Sequence, residues 1–217
     1  MKQVGNMLVL ETLDEIVTPG HTALLVIDIQ NDNASTQGTL ASRGVDISAV
    51  RRTIPAIQMV LAEARHTAVT VIFMRISKDR GLESPSRLRM REKSALKRDA
   101  AEYESSGCSG NEVLGELEPG PDERQFIKYL SSSFMGTPLD FTFRNLGIRS
   151  AVVVGMVTEG CVETTVRDLE QYGYYPVVLS DCVSSRRQDL HHAALLVMSA
   201  RYDVITSEQL LAIWRRA

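Results

Sequence analysis

Cysteine and histidine are scarce in this 217-residue chain. Its cysteines, Cys108, Cys161 and Cys182, stand far apart, too few for a disulfide framework and without the close spacing of a zinc site. Such usage suits a reducing compartment. The histidines are His21, His66, His191 and His192. Only the last two are close, and adjacent positions on a helix point about 100° apart, so the pair offers no two-ligand face. No metal and no cofactor is expected. A strong charge of one sign is missing too: the net charge is -3, from 24 basic and 27 acidic residues, which leaves no electrostatic footprint for nucleic acid. Nor is there an apolar run of about eighteen residues or a signal-peptide pattern, since acids interrupt the N-terminal MKQVGNMLVLETLDEIV. The expectation is a cytoplasmic protein with neither a membrane nor a nucleic-acid partner. No internal repeat or low-complexity tract occurs.

The 44% of hydrophobic residues suffices for one core, so a single domain over 1–217 is expected. Thr22 to Ile29 (TALLVIDI) reads as a strand buried on both faces, as in parallel sheets. A polar loop, Gln30 to Asn33, leads to a helical pattern with Val50, Ile54, Ile57 and Leu61 on one face. Pro55 places the start of regular helix near Thr53. Val69 to Ile76 is a second strand, completing a βαβ unit. The next stretch, Ser77 to Glu123, is polar and charge-rich. At roughly fifty residues it far exceeds an ordinary connection, so a lid or an interface insertion over 77–123 is expected, helical in part between Arg87 and Glu104. Arg124 to Tyr129 reads as a third strand. Thr137-Pro138-Leu139-Asp140 resembles a capping box opening a helix that Gly147 ends. Pro176 to Leu179 and Asp203 to Ile205 are further strands; Leu190 to Ala200 and Glu208 to Arg216 are helices.

Between these lies Ala151 to Gly173. Ala151 to Val154 is a buried strand bounded by Gly155, and Val162, Val166, Leu169 and Tyr172 then recur at helical spacing. Cys161 therefore stands where a strand hands over to a helix, with Thr158 as N-cap and Gly173 as stop. A thiol in a first helical turn is biased toward thiolate by the macrodipole and free N–H groups. Strands alternating with helices mean α/β: a single-domain three-layer αβα, Rossmann-like, on a mostly parallel six-stranded sheet. Ligands bind beyond the carboxyl ends of such strands. Asp28, Lys128 and Cys161 all fall at or just after such ends, which brings a base, a cation and a thiol to one edge.

That trio suits nucleophilic acyl chemistry. Asp28 takes the thiol proton and returns it to a leaving amine, Lys128 stabilises the thiolate, and backbone N–H groups at Val157 and Cys161 receive the oxyanion. A phosphatase of the haloacid-dehalogenase type would need a second Asp where Gln30 stands. A dinucleotide site would need glycine between Ile29 and Asn33, and none is there.

In these residues the chain resembles the isochorismatase-like cysteine hydrolases, which include nicotinamidases and the N-carbamoylsarcosine, ureidoacrylate and biuret amidohydrolases. The matching segments are Thr22 to Asp32, Lys128 with Ser133 to Leu139, and Gly155 to Asp168. The resemblance implies the isochorismatase-like hydrolase fold and an Asp28-Lys128-Cys161 triad. It also implies a covalent thioester intermediate and a cis peptide at Met156–Val157 that aims the Val157 N–H at the oxyanion. It further implies a homodimer or homotetramer. Nicotinamidases hold a metal after the second strand with an Asp and two His; here Met74 to Arg80 contains no histidine, so no metal is expected. Isochorismatases cleave a vinyl ether without needing the cysteine, so Cys161 favours hydrolysis of a small amide or ureide with release of ammonia or an amine. Vinyl ether hydrolysis and a non-catalytic small-molecule-binding role are the alternatives. Asn33, where the family often has an aromatic residue, suggests a polar pocket, and Arg75 and Glu159 lie at the same edge as candidate substrate contacts. Reactivity of Cys161 above that of Cys108 and Cys182 would separate an enzyme from a binding protein.

Overall fold

The computed structural model describes residues 1–77, 84–95 and 109–216. An antiparallel hairpin, β1 (Lys2–Val4) and β2 (Met7–Val9), opens the chain, followed by the single turn α1 (Leu13–Ile16). Next come β3 (Thr22–Ile27), the short turns α2 (Asn31–Ala34) and α3 (Thr39–Ser42), the long α4 (Ser48–His66) and β4 (Thr70–Ile76). After α5 (Pro85–Ala95) follow β5 (Arg124–Lys128), α6 (Leu139–Asn145), β6 (Ser150–Met156) and α7 (Glu163–Gln171). The chain closes with β7 (Tyr175–Ser184), α8 (Gln188–Ser199), β8 (Asp203–Ile205) and α9 (Ser207–Trp214).

The six strands β3 to β8 form one sheet in the order β5-β4-β3-β6-β7-β8, parallel at every pairing. Both faces are covered, which explains why the central strands are apolar at consecutive positions. One core holds Leu24, Val26, Phe73 and Val152 under α4 and α9; the other holds Leu25, Ile27, Met74 and Val153 under α6, α7 and α8. The expected three-layer αβα architecture is thus present. Its order reverses between β3 and β6, and a crevice opens at the carboxyl ends of strands where such a reversal occurs. There the backbones come close: Gly155 has φ +126, and a Cβ on it would stand 2.1 Å from the Ile27 carbonyl oxygen. Only glycine permits that approach.

Several boundaries differ from the sequence reading, each for a local reason. β3 ends at Ile27, because Asp28 takes a left-handed conformation, φ 56, and leaves the strand. α4 begins at Ser48 and carries Pro55 inside it. The proline removes a single backbone bond, while Val50, Ile54, Ile57 and Leu61 all remain buried on one face. No capping box forms at Thr137: the Thr137 oxygen receives the Leu139 N–H at 3.3 Å, but Asp140 turns instead to Arg144 and Tyr174. A capping box does form at Thr12 and Glu15, where it opens the single turn α1. β7 runs to Ser184 past the polar pair Ser180-Asp181, since Ser180 donates to the Ile205 carbonyl and Asp181 caps α9 through Ser207. Gly147 and Gly173 end their helices as expected, with φ of 66 and 88.

The long 77–123 stretch lies partly outside the described residues, as does Cys108 within it. The helix expected from Arg87 begins at Pro85; past Ala95 it too falls outside them. The described remainder from Ser109 is tied down. The Asn31 N–H donates to the Glu112 carbonyl and the Leu114 N–H to Ile29, while Glu116 and Glu123 form ion pairs with Arg51 and Arg65 on α4. These contacts brace the polar loop that follows β3.

Candidate active site

Asp28, Lys128 and Cys161 meet at the carboxyl edge of the sheet. Lys128 ends β5, and its completely buried ammonium lies 2.8 Å from Oδ2 of Asp28, a side chain only 4% exposed. The same ammonium donates to the carbonyls of Leu130 at 3.1 Å and Ser131 at 3.3 Å. A lysine has three protons to give, and an uncompensated charge so deep would be very costly. The Asp28 backbone is equally constrained: its N–H donates to Met74 at 2.9 Å, extending the ladder with β4.

Cys161 arrives from the other side of the reversal. Between β6 and α7 the chain makes a wide π-type turn, Thr158–Val162, in which the Val162 N–H reaches back to the Val157 carbonyl at 3.3 Å. Thr158 is therefore not the N-cap that its position suggested. It starts the wide turn, and its hydroxyl pairs with Nδ1 of His191 on α8 at 2.8 Å. The Met156–Val157 peptide is cis, as the resemblance implies. The half-buried Cys161 thiol interacts with both the Asp28 carboxylate and the Lys128 ammonium.

Those neighbours decide protonation. Burial, seconded by the Asp28 charge and opposed by Lys128, pushes the Cys161 thiol from 9.0 up to about 12. The bias toward thiolate expected from the helix position is thus overturned: desolvation and an adjacent carboxylate outweigh the N-terminal dipole. Burial also works against the Lys128 charge, but Asp28 and Cys161 together hold its pKa above the ordinary value. The thiol therefore keeps its proton beside the Asp28–Lys128 ion pair.

This protonation state predicts alkaline sensitivity. An unfolded thiol ionises near 9 while the folded Cys161 keeps its proton to about 12. Above pH 9 the unfolded state is the one that has released the proton, and rising pH favours it, by up to about 1.4 kcal/mol per unit for one such group. Urea unfolding at pH 7, 9 and 10 should show the decline, and Cys161→Ala should make it shallower. Equal declines in both proteins would exclude Cys161 as the group responsible.

The other sequence-derived candidates fare differently. Asn33 is half-buried, and its amide donates to the Asp28 carbonyl at 3.2 Å, so it braces the turn at Asp28. Arg75 leaves β4 on the face opposite Met74, which packs in the same core as Cys161; its Nε is buried without a hydrogen-bond partner. Glu159, in the wide turn, accepts a bond from Ser185 at 2.8 Å through Oε1, while its Oε2 is buried without a partner. Sequence reasoning missed the carbonyls of Leu130 and Ser131, which carry no sequence signal, and the Thr158–His191 and Thr165–Ser133 pairs, whose partners are distant in sequence. Among the described residues, no group of three or more His, Cys, Asp or Glu side chains is arranged to hold a metal ion, and no helix is long and apolar enough to cross a membrane.

A fully parallel, doubly covered sheet with its polar cluster at the point of strand reversal defines an α/β protein with an edge site. The Isochorismatase domain model matches residues 22–209, and the chain belongs to the isochorismatase family. It is 36% identical over 173 residues to the ureidoacrylate amidohydrolase RutB of Pantoea ananatis, covering 76% of this chain and 69% of that protein. It is 37% identical over 174 residues to the enzyme of the same name from Caulobacter segnis, covering 76% and 73%. Among solved structures, a cysteine hydrolase from Pseudomonas syringae pv. phaseolicola superposes with a TM-score of 0.76 at 25% identity, covering 93% of this chain and 95% of that one.

Proposed function

We propose that this protein hydrolyses a C–N bond of a small, non-aromatic ureide or amide through a thioester on Cys161. The observation that carries the reading is the contact of Asp28, Lys128 and Cys161 at the strand reversal. As the sulfur attacks the substrate carbonyl carbon, Asp28 takes the thiol proton and Lys128 balances the charge. The oxyanion is received by the backbone N–H groups of Val157 and Cys161. Collapse of the tetrahedral species breaks the C–N bond, and the proton held by Asp28 leaves with the ammonia or amine. Water then gives a proton to Asp28 and attacks the thioester, and the released sulfur recovers that proton. Atoms and charges balance with water as the only co-reactant.

The ureidoacrylate amidohydrolases to which the chain is similar support a ureide as substrate. Glu159, in the wide turn that carries Cys161 and with Oε2 buried without a partner, is the proposed substrate contact; Arg75, which leaves β4 on the face away from Cys161, is not assigned that role. Asn33 serves through the Asp28 turn, and by replacing an aromatic residue it leaves a more polar pocket. Ammonia and amine release from ureidoacrylate-type ureides, biuret, carbamoyl amino acids, maleamate and nicotinamide tests the proposal. A ureide or aliphatic amide should exceed nicotinamide in kcat/KM by about tenfold or more, since a polar site discriminates strongly against a poorly matched ligand. Preferential turnover of the aromatic amide would overturn the substrate class. Cleavage of a vinyl ether with no turnover of any amide would overturn the reaction.

A further inference from the structure

A buried pair of hydroxyls joins the two halves of the site without touching the reacting atoms. Thr165 on α7 and Ser133 in the loop after β5 are both fully buried. The Ser133 N–H donates to Oγ1 of Thr165 at 3.2 Å, and the Thr165 hydroxyl donates to Oγ of Ser133 at 2.9 Å. The Ser133 carbonyl in turn accepts from the Thr137 hydroxyl at 2.5 Å. Oγ of Ser132 receives the N–H groups of Phe134 and Met135, each at 3.0 Å. The loop is thereby folded on itself and pinned to α7.

What it connects is specific. Thr165 follows Cys161 by four residues, in the first turn of the helix that the wide turn leads into. Ser133 is two residues beyond Ser131 and three beyond Leu130, whose carbonyls hold the Lys128 ammonium. An apolar pair of the same shape would fill this space without the cost of burying hydroxyls. What the hydroxyls add is direction, through two bonds that fix the register of the loop against the helix. We infer that Thr165 and Ser133 are positioning residues that set the separation between the Lys128 ammonium and the Cys161 sulfur. The inference rests on the hydrolase reading of the site, but its test need not.

Two readouts on Thr165→Val, Thr165→Ser and Ser133→Ala separate the possibilities. The first is the rate of Cys161 alkylation by iodoacetamide between pH 7 and 10, followed by peptide mass spectrometry, which requires no substrate. With Lys128 no longer held in register, the Thr165→Val profile should move up by about one pH unit, a tenfold slower reaction at fixed pH, and Thr165→Ser should match the wild type. The second is steady-state turnover of whichever ureide or amide the panel identifies, where kcat should fall by about tenfold or more with KM nearly unchanged. Ser133→Ala gives the same comparison should Thr165→Val fold poorly. An alkylation shift rescued by serine supports the inference even if no substrate turns over, in which case the hydrolase reading alone fails. Folded Thr165→Val and Ser133→Ala proteins with wild-type profiles would overturn it, as would a Thr165→Ser protein as impaired as Thr165→Val.

Discussion

Cys161→Ala is expected to abolish hydrolysis, with kcat falling by about 10⁴-fold or more, and to leave the fold intact. Removal of a catalytic nucleophile takes away the covalent route as a whole, so what remains is only the binding and the oxyanion donors. The structural cost is small. Cys161 is half-buried, its sulfur lies beside an ionised carboxylate that raises its pKa, and none of the backbone bonds of the wide turn depends on it. Melting within a few degrees of wild type, together with loss of ammonia release, is the expected pair of results. Mass spectrometry of acid-quenched wild type during turnover should show the acyl or carbamoyl adduct on the peptide carrying Cys161. A Cys161→Ala protein retaining more than about a tenth of wild-type kcat would remove the thioester mechanism.

Lys128→Met is expected to cost both activity and stability, and the two effects can be separated. Lys128 is fully buried and makes its ion pair with Asp28 at 2.8 Å. Deleting one member of such a pair strands the other, at about 3 to 5 kcal/mol. For a domain of this size that lowers Tm by roughly 6 to 20 °C. Pairing Lys128→Met with Asp28→Leu replaces the buried charges by apolar groups, and stability should largely return because nothing ionised is left behind. Activity should not return, since the proposed base and cation are both gone. Urea denaturation of the two singles and the double, alongside ammonia release, checks this. A single variant losing less than about 1 kcal/mol would mean that the site is far wetter than its burial indicates.

Much of this molecule was legible in the order of its residues. The apolar runs beginning at Thr22, Val69 and Ala151 announce buried strands of a parallel sheet. Gly147 and Gly173 mark helix ends, and the strand ends place Asp28, Lys128 and Cys161 on one edge. Less legible were features whose partners are distant in sequence. Pro55 argued for a later start to α4, yet the apolar face of that helix overrode it. Asp181, a break in the apparent strand, became a cap for α9.

The sequence by itself determined the element types, the parallel α/β class and the edge to which the polar trio belongs, because hydrophobic periodicity and glycine punctuation are written into neighbouring residues. Tertiary structure alone decided that β3 lies against β6, that Asn33 holds the Asp28 turn, and that the Cys161 thiol keeps its proton. Strand order depends on which surfaces bury one another. A thiol's charge depends on the dielectric and the carboxylate around it, and here Asp28 stands more than a hundred residues away along the chain.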